Sequence, residues 1–426
     1  MREMMTSKMY GYMLKSTLLM VVTISCFSVG KTQTVYINMG KGWKYITGAQ
    51  RAVNDSNRVS YLIGTKQPFG LRVNNFRDME PYYKHDSEFL MDHLLPSEVY
   101  ESNKMVEGSA FFISQTEVTN LEYRKFVEFC IAQWMKQNRP EIVAKYKWDS
   151  PEYVQEVQAW LESSSSTSAA SGAVTTATVL APATQWGELY MRKLNWDKIT
   201  YEGSSIFTNT QVWISDFMMS YNEPMRDFYF VHPAYNNYPV VGVSQLQATL
   251  YCRWYSAEFG VKEKEKYNIV YRLPMESEWE RAASVVAEKR SKKSSGSPVY
   301  NAYMRNSKGA YIANFRPLAN NFGQDGAMYP APVQSYYTND AGCYNMQGNV
   351  AEWTSTEVVH RVGEYLEGAY IIKGGAWTLP EAACTVGARG ILYYGIAGED
   401  PAASYVGFRM VAVPMLKFRP LITPEF

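Results

Sequence analysis

Beyond residue 300 the chain is punctuated almost continuously by glycine, asparagine, tyrosine and tryptophan, and this limits what it can fold into. Glycine and asparagine interrupt helices and open turns, so the region predicts irregular backbone and short strands rather than long helices. The same trend runs through all 426 residues, whose 33 tyrosines and 28 glycines suit a loop-rich fold that gains its burial from aromatics. The densest instance is "YNMQGNVAEW" at 344–353, which joins amides, a glycine and a carboxylate and closes on a tryptophan. Such a run suits three roles: a metal loop, the floor of an active site, or a tight turn ahead of a buried strand.

Charge excludes one class of partner. With 42 basic and 41 acidic residues the net charge is +1, so no overall field recruits nucleic acid. The N-terminus carries more information. Residues 14–30, "LKSTLLMVVTISCFSVG", place a lysine before a short apolar run and then small residues. The run is too short for a permanent bilayer helix and matches the apolar region of a signal peptide, so residues 1–30 predict export. Met9 or Met13 as the start would give a more ordinary signal length. Cys26 follows Thr23-Ile24-Ser25, a lipoprotein cleavage box without its usual leucine, and is the candidate lipidation site. Without acylation, cleavage is expected near Gly30 to Gln33. Four further cysteines (Cys130, Cys252, Cys343, Cys384) do not make a disulfide framework in a chain this long, although a bridge or two is compatible with export. His85, His93, His232 and His360 are scattered without ligand spacing, which argues against a histidine-bound zinc or iron.

Residues 31–104 read as a polar, tyrosine-rich leader. Better patterning starts at "SAFFISQTEVTNLEYRKFVEFC": Phe111 to Ile113 predict a buried strand, and Thr119 with Glu122 predicts a capping box opening a helix. Its inward stripe is Tyr123, Phe126, Val127 and Cys130. Residues 135–230 read as an insertion, with a low-complexity run at 162–184 that has too little apolar mass to pack and is expected to be mobile. Ser244 caps a second helix with Ala248, Tyr251, Cys252 and Tyr255 inward. In "YRLPMESEWERAAS", Arg272 and Glu276, Glu278 and Glu280 surround a proline turn. Either they form an acid/base pair or they brace the turn, and the brace is favoured because no histidine or further acid joins them.

"TEVTNLEYRKFV", "YPVVGVSQLQATLYCRWYS", "YRLPMESEWERAA", "GCYNMQGNVAEWTS", "IIKGGAW" and "VGFRMV" occur in the order of the sulfatase-modifying-factor family, which contains the formylglycine-generating enzymes. The resemblance implies an α+β fold, a loop-rich variant of the C-type lectin, over residues 105–415, followed by a tail at 416–426. "WISDFMMSYNEPM", "YFVHPAYNNYPVVGVS", "GAYIANFRPLANNFGQDG" and "ASYVGFRMV" resemble a narrower branch, the PorK/GldK and GldJ lipoproteins of gliding motility and type IX secretion.

The family's enzymes hold copper between two cysteines five residues apart, and soft Cu(I) needs such thiolates. Here the segment is "GGAWTLPEAACTVGARG": counted from Gly374, Leu379 takes the first position and Cys384 the second. Ala376 replaces the family's serine, and Ala351 the tryptophan before Glu352. The resemblance therefore implies no catalytic residues and no copper. It also implies two structural calcium loops. One would use the Asn345 amide oxygen, the Gly348 and Val350 carbonyls and the Glu352 carboxylate. The other would use Asn314, the Phe315 carbonyl, Asp325 and the Ala327 carbonyl. The mixed oxygen set suits a hard ion. The alternative for both is a polar turn whose amides bond backbone.

By the same resemblance the chain is a non-catalytic component of the type IX secretion machinery. It would lie at the periplasmic side of the outer membrane, forming a homo-oligomeric ring with PorN/GldN-like partners. Trp213, Tyr221 and Tyr235 in the insertion are candidate interface anchors, since aromatics favour that role, unless they pack the insertion onto the core. The alternatives are an auxiliary paralogue of the ring lipoprotein, a lectin-like binder with a groove lined by Trp377 and Arg389, and an oxidase.

Overall fold

The computed structural model describes residues 110–159, 199–284, 304–393 and 401–416 with short breaks, together with isolated segments between 20 and 73. The expected lipidation site, most of the leader, the run at 162–184 and the C-terminal tail lie outside the described residues.

Two sheets and a few helices make up the architecture, with much irregular chain between them, as the glycine and asparagine spacing predicts. The strands in chain order are β1 (Met20–Ile24), β2 (Gln33–Ile37), β3 (Trp43–Ile46), β4 (Ser60–Ile63), β5 (Leu71–Val73), β6 (Phe111–Ser114) and β7 (Thr200–Tyr201). They continue as β8 (Ser204–Ser205), β9 (Tyr267–Arg272), β10 (Ala351–Val362), β11 (Tyr365–Lys373), β12 (Arg389–Tyr393), β13 (Val406–Gly407) and β14 (Val411–Leu416). The α-helices are α1 (Asn120–Asn138), α2 (Pro140–Lys145), α3 (Val212–Ser215), α4 (Glu223–Phe228), α5 (Gln245–Tyr255) and α6 (Glu276–Ala283).

One sheet has the order β13-β10-β11-β12-β4-β5 and the other β3-β6-β14-β9, while β1-β2 and β7-β8 form separate ribbons. Two strands from the segment read as a leader enter these sheets. β3 pairs antiparallel with β6, and β4 lies parallel to β12. The segment is therefore not a mere appendage, and sequence alone missed this because strand pairing across so many residues leaves no local signal. Within the expected signal segment, β1 pairs with β2.

Helix α1 starts as predicted: the Thr119 side chain accepts from Glu122 N and the Glu122 carboxylate returns to Thr119 N, satisfying two otherwise orphaned donors. Ser244 and Gln247 repeat the device on α5. Tyr123, Phe126, Val127, Cys130, Ala248, Tyr251 and Cys252 are buried as expected, and Tyr255 is half-buried. Tyr123 stacks on Tyr251 at 5.6 Å, and Phe408 closes edge-on against both rings. Alternation along β6 divides the core, because successive side chains point to opposite faces. Phe112 joins the α1/α5 cluster, while Phe111 and Ile113 pack with Trp279, Cys343, Met346 and Val411.

The region read as an insertion packs firmly after residue 199: Ile199, Ile206, Val212 and Trp213 belong to the main core. No helix among the described residues is long and apolar enough to cross a membrane.

Candidate functional site

The decapeptide 344–353 forms a left-handed loop feeding β10. Asn345, Gly348 and Asn349 all have positive φ, at 51°, 77° and 64°. Asparagine tolerates that region better than most residues, but Gly348 has a second constraint. A Cβ there would lie 2.2 Å from the carbonyl oxygen of Asn314, so the two candidate calcium loops touch at this point. Asn349 N donates to the same carbonyl at 2.7 Å.

Two buried networks fill the first loop. In one, Glu117 lies at the centre, accepting from Asn349 Nδ2 at 2.8 Å and from Asn345 Nδ2 at 3.2 Å. Asn349 Nδ2 also donates to the Ala331 carbonyl, and Asn349 Oδ1 accepts from Ala331 N and Asn314 Nδ2. Burial pushes the Glu117 carboxyl up to about 7, with Arg409 pulling the other way and Glu352 adding to the rise. In the other network, Glu352 receives a two-pronged contact from Arg409, Nε to Oε2 and Nη2 to Oε1, both at 2.6 Å. Trp279 Nε1 adds a third bond to Oε2 at 2.7 Å. Neither charged side chain has any exposed surface. Burial alone would lower Arg409, but the Glu352 and Glu117 carboxylates more than offset it and hold the guanidinium charged.

The second loop is built differently. Asp325 Oδ2 accepts from Phe315 N at 2.6 Å and Oδ1 from Ala327 N at 3.2 Å, so one carboxylate gathers the two residues whose carbonyls the resemblance assigns as ligands. Burial raises the Asp325 carboxyl, against the lowering effect of these backbone bonds. Among the described ion pairs none involves Asp325. Asn314 donates through Nδ2 to Tyr329 O and Asn349 Oδ1, while its own Oδ1 is buried without any hydrogen-bond partner.

These donor sets fit a divalent ion unequally. In the first loop the one carboxylate is already matched by a guanidinium, so a dication there would face a fixed positive charge; the loop as folded does not fit it. In the second, an orphaned amide oxygen and a carboxylate without a basic partner remain, and such groups cost stability unless something satisfies them. That set fits calcium.

The glutamates of "ESEWE" resolve as braces. Glu278 pairs through both oxygens with Arg272 at 2.7 Å and caps Met275 N. Glu276 pairs likewise with Arg389, and Glu280 meets Lys373 at 2.8 Å. With each acid held by a fixed cation, no acid/base pair is left among them. Arg389 is thus a structural partner, and Trp377 is 2% exposed beneath Trp213, Phe217, Phe322 and Tyr329. The expected groove lined by these two residues is absent among the described residues, because aromatic packing closes over Trp377.

Cys384 is wholly buried, and its thiol is pushed up to about 12, mainly by burial. Leu379, at the first cysteine position, is buried too. Cys130, Cys252 and Cys343 are free and buried, so none of the four forms a disulfide.

Of the candidate interface residues, Trp213 requires correction. It is 2% exposed and packs on Tyr229 at 4.9 Å, because the chain after residue 199 is part of the core. Tyr235 is half-buried against Tyr229 and Tyr238. Tyr221 is 94% exposed, and the Asn222–Tyr329 hydrogen bond brings its loop beside that of exposed Met328.

Sequence reasoning missed Glu117, Asn349 and Arg409 as the loop's central partners. Arg409 had a usable signal: a cation within the apolar run "VGFRMVAV" has to find a buried carboxylate.

Comparison with known proteins agrees with the motifs. Residues 84–413 match the sulfatase-modifying factor enzyme 1-like domain. The formylglycine-generating enzyme of Mus musculus is 30% identical over 194 residues, which is 42% of this chain and 45% of that protein. The chain thus spans less than half the length of this curated relative. Among solved structures, PvdO from Pseudomonas aeruginosa is 23% identical with a TM-score of 0.30, covering 42% of this chain and 62% of PvdO. CarF is 18% identical with a TM-score of 0.35, covering 71% of this chain and 86% of CarF.

Proposed function

The chain belongs to the sulfatase-modifying factor enzyme 1-like domain family, and from that premise we propose that it is a non-catalytic member, a structural component of type IX secretion and gliding motility. The observation that carries the non-catalytic reading is the state of Cys384. It is the single cysteine in the segment after Gly374-Gly375, it is buried, and its thiol is held protonated at neutral pH. A lone buried thiol cannot provide the two thiolates that Cu(I) requires. The finer assignments rest on motif resemblance: the C-type-lectin-like variant of the fold, the PorK/GldK-like branch, and a periplasmic, outer-membrane site with a lipid anchor at Cys26. In this reading the second loop holds calcium for structural purposes, and Tyr221 belongs to the surface that meets PorN/GldN-like partners or a second copy.

The test is affinity isolation from detergent-solubilised outer membranes, with mass-spectrometric identification and metal analysis of the pure protein. Co-isolation of secretion-ring proteins, with calcium and without copper, is the expected result. Near-stoichiometric copper, together with oxidation of a cysteine-containing peptide that is lost in Cys384→Ala, would make the chain an oxidase instead.

A further inference from the structure

A pocket of about 420 Å³ lies outside both loops, between the outer face of α1, the helix α2 and the end of α5. Phe129, Val143, Tyr146 and Trp254 supply apolar walls, and the volume is in the range of small-molecule sites. Two features separate it from an ordinary surface dent. Trp254 is 95% buried by its 5% exposure, yet its indole N–H has no acceptor. Buried indole N–H groups nearly always find a partner, so the site is incomplete as it stands. The second feature is charge. Lys125 and Lys136 also line the pocket and are exposed. Eleven residues is close to three helical turns, so the two share one face of α1, about 16 Å apart along its axis. Glu128, also on the lining, stands one turn from Lys125 and opposes a second negative charge near that end.

We propose that this pocket binds an amphipathic organic monoanion, an acyl or aryl carboxylate. Its apolar body lies against Phe129, Val143 and Tyr146. One of its oxygen acceptors takes the Trp254 N–H, and the lysines attract its charge. A neutral ligand of the same shape would fill the walls without using the lysines, and a dianion would meet Glu128.

The experiment uses the full chain and the fluorescent probe 8-anilinonaphthalene-1-sulfonate, displaced by decanoate or by decanol. Decanoate is expected to displace the probe at a concentration at least about tenfold below decanol, because a charge-assisted hydrogen bond favours the anion. Ala132→Trp fills the pocket from a half-exposed helix position and is expected to abolish decanoate competition while leaving the thermal midpoint nearly unchanged. Trp254→Phe keeps the ring and removes the donor, and is expected to weaken decanoate about threefold to tenfold. Lys125→Gln combined with Lys136→Gln should erase the preference over decanol. The proposal is overturned if decanoate does not compete, if decanol competes equally well, or if Ala132→Trp competes as the parent does, which would place the probe elsewhere on the surface.

Discussion

The two loops that meet at Gly348 and Asn314 carry similar residue types and solve their burial problems in different ways. The loop at 344–353 is closed by protein groups alone: Arg409 and Trp279 satisfy Glu352, and Asn345 and Asn349 satisfy Glu117. The loop around Asp325 is left with an amide oxygen that nothing in the chain satisfies. A carboxylate and an amide in a glycine-rich turn therefore do not by themselves define an ion site. What matters is whether the fold brings a guanidinium to the carboxylate.

The largest expected effect comes from separating Glu352 and Arg409. Arg409→Met leaves a wholly buried carboxylate unpaired and is expected to cost about 3–5 kcal/mol in urea unfolding. Arg409→Met combined with Glu352→Leu should recover much of that loss, since it removes both buried charges. If the single variant loses less than about 1 kcal/mol, well under the cost of an unpaired buried charge, the first loop is not closed by its own cation.

A second test uses pH. Glu117 has a folded pKa of about 7 against a model value of 4.5. Its folded form holds a proton that the unfolded chain releases, so stability is highest below the unfolded pKa and falls as pH rises towards 7. Folded-state burial of this carboxyl thus predicts a loss of about 3 kcal/mol across that window, and a flatter profile in Glu117→Gln. Equal pH slopes for the two proteins would mean that Asn345 and Asn349 stabilise the carboxylate rather than the acid.

Calcium sharpens the comparison from the other side. Free calcium at one hundred times its dissociation constant should raise stability by about 2.7 kcal/mol, read as a higher thermal midpoint than in chelator. Asp325→Asn is expected to remove that increment, whereas Arg409→Met should keep it despite its lower baseline. Retention of the full increment in Asp325→Asn would move the ion away from the second loop.

The local devices were legible. Thr119 and Ser244 announced their helices through capping boxes three residues long, and the inward stripes followed from the helical period. The brace around Arg272 was legible as well, because Glu278 lies within the same turn. Burial of the cysteines followed from their places on those stripes. The partners of Glu276, Glu280 and Glu352 were not readable, because Arg389, Lys373 and Arg409 lie 113, 93 and 57 residues away in the chain. Trp213 misled for the same reason: an aromatic in an apparent insertion looks like a surface anchor until the core that receives it is known.

By itself the sequence determined where turns, caps and apolar faces fall, since those depend on neighbours within a few residues. It also determined the absence of a second cysteine beside Cys384, which is a matter of composition. Only the tertiary structure decided which buried charge meets which. That choice depends on strands far apart in the chain coming into register, and so it settled that one asparagine-rich loop is neutralised from within while the other keeps an oxygen unsatisfied.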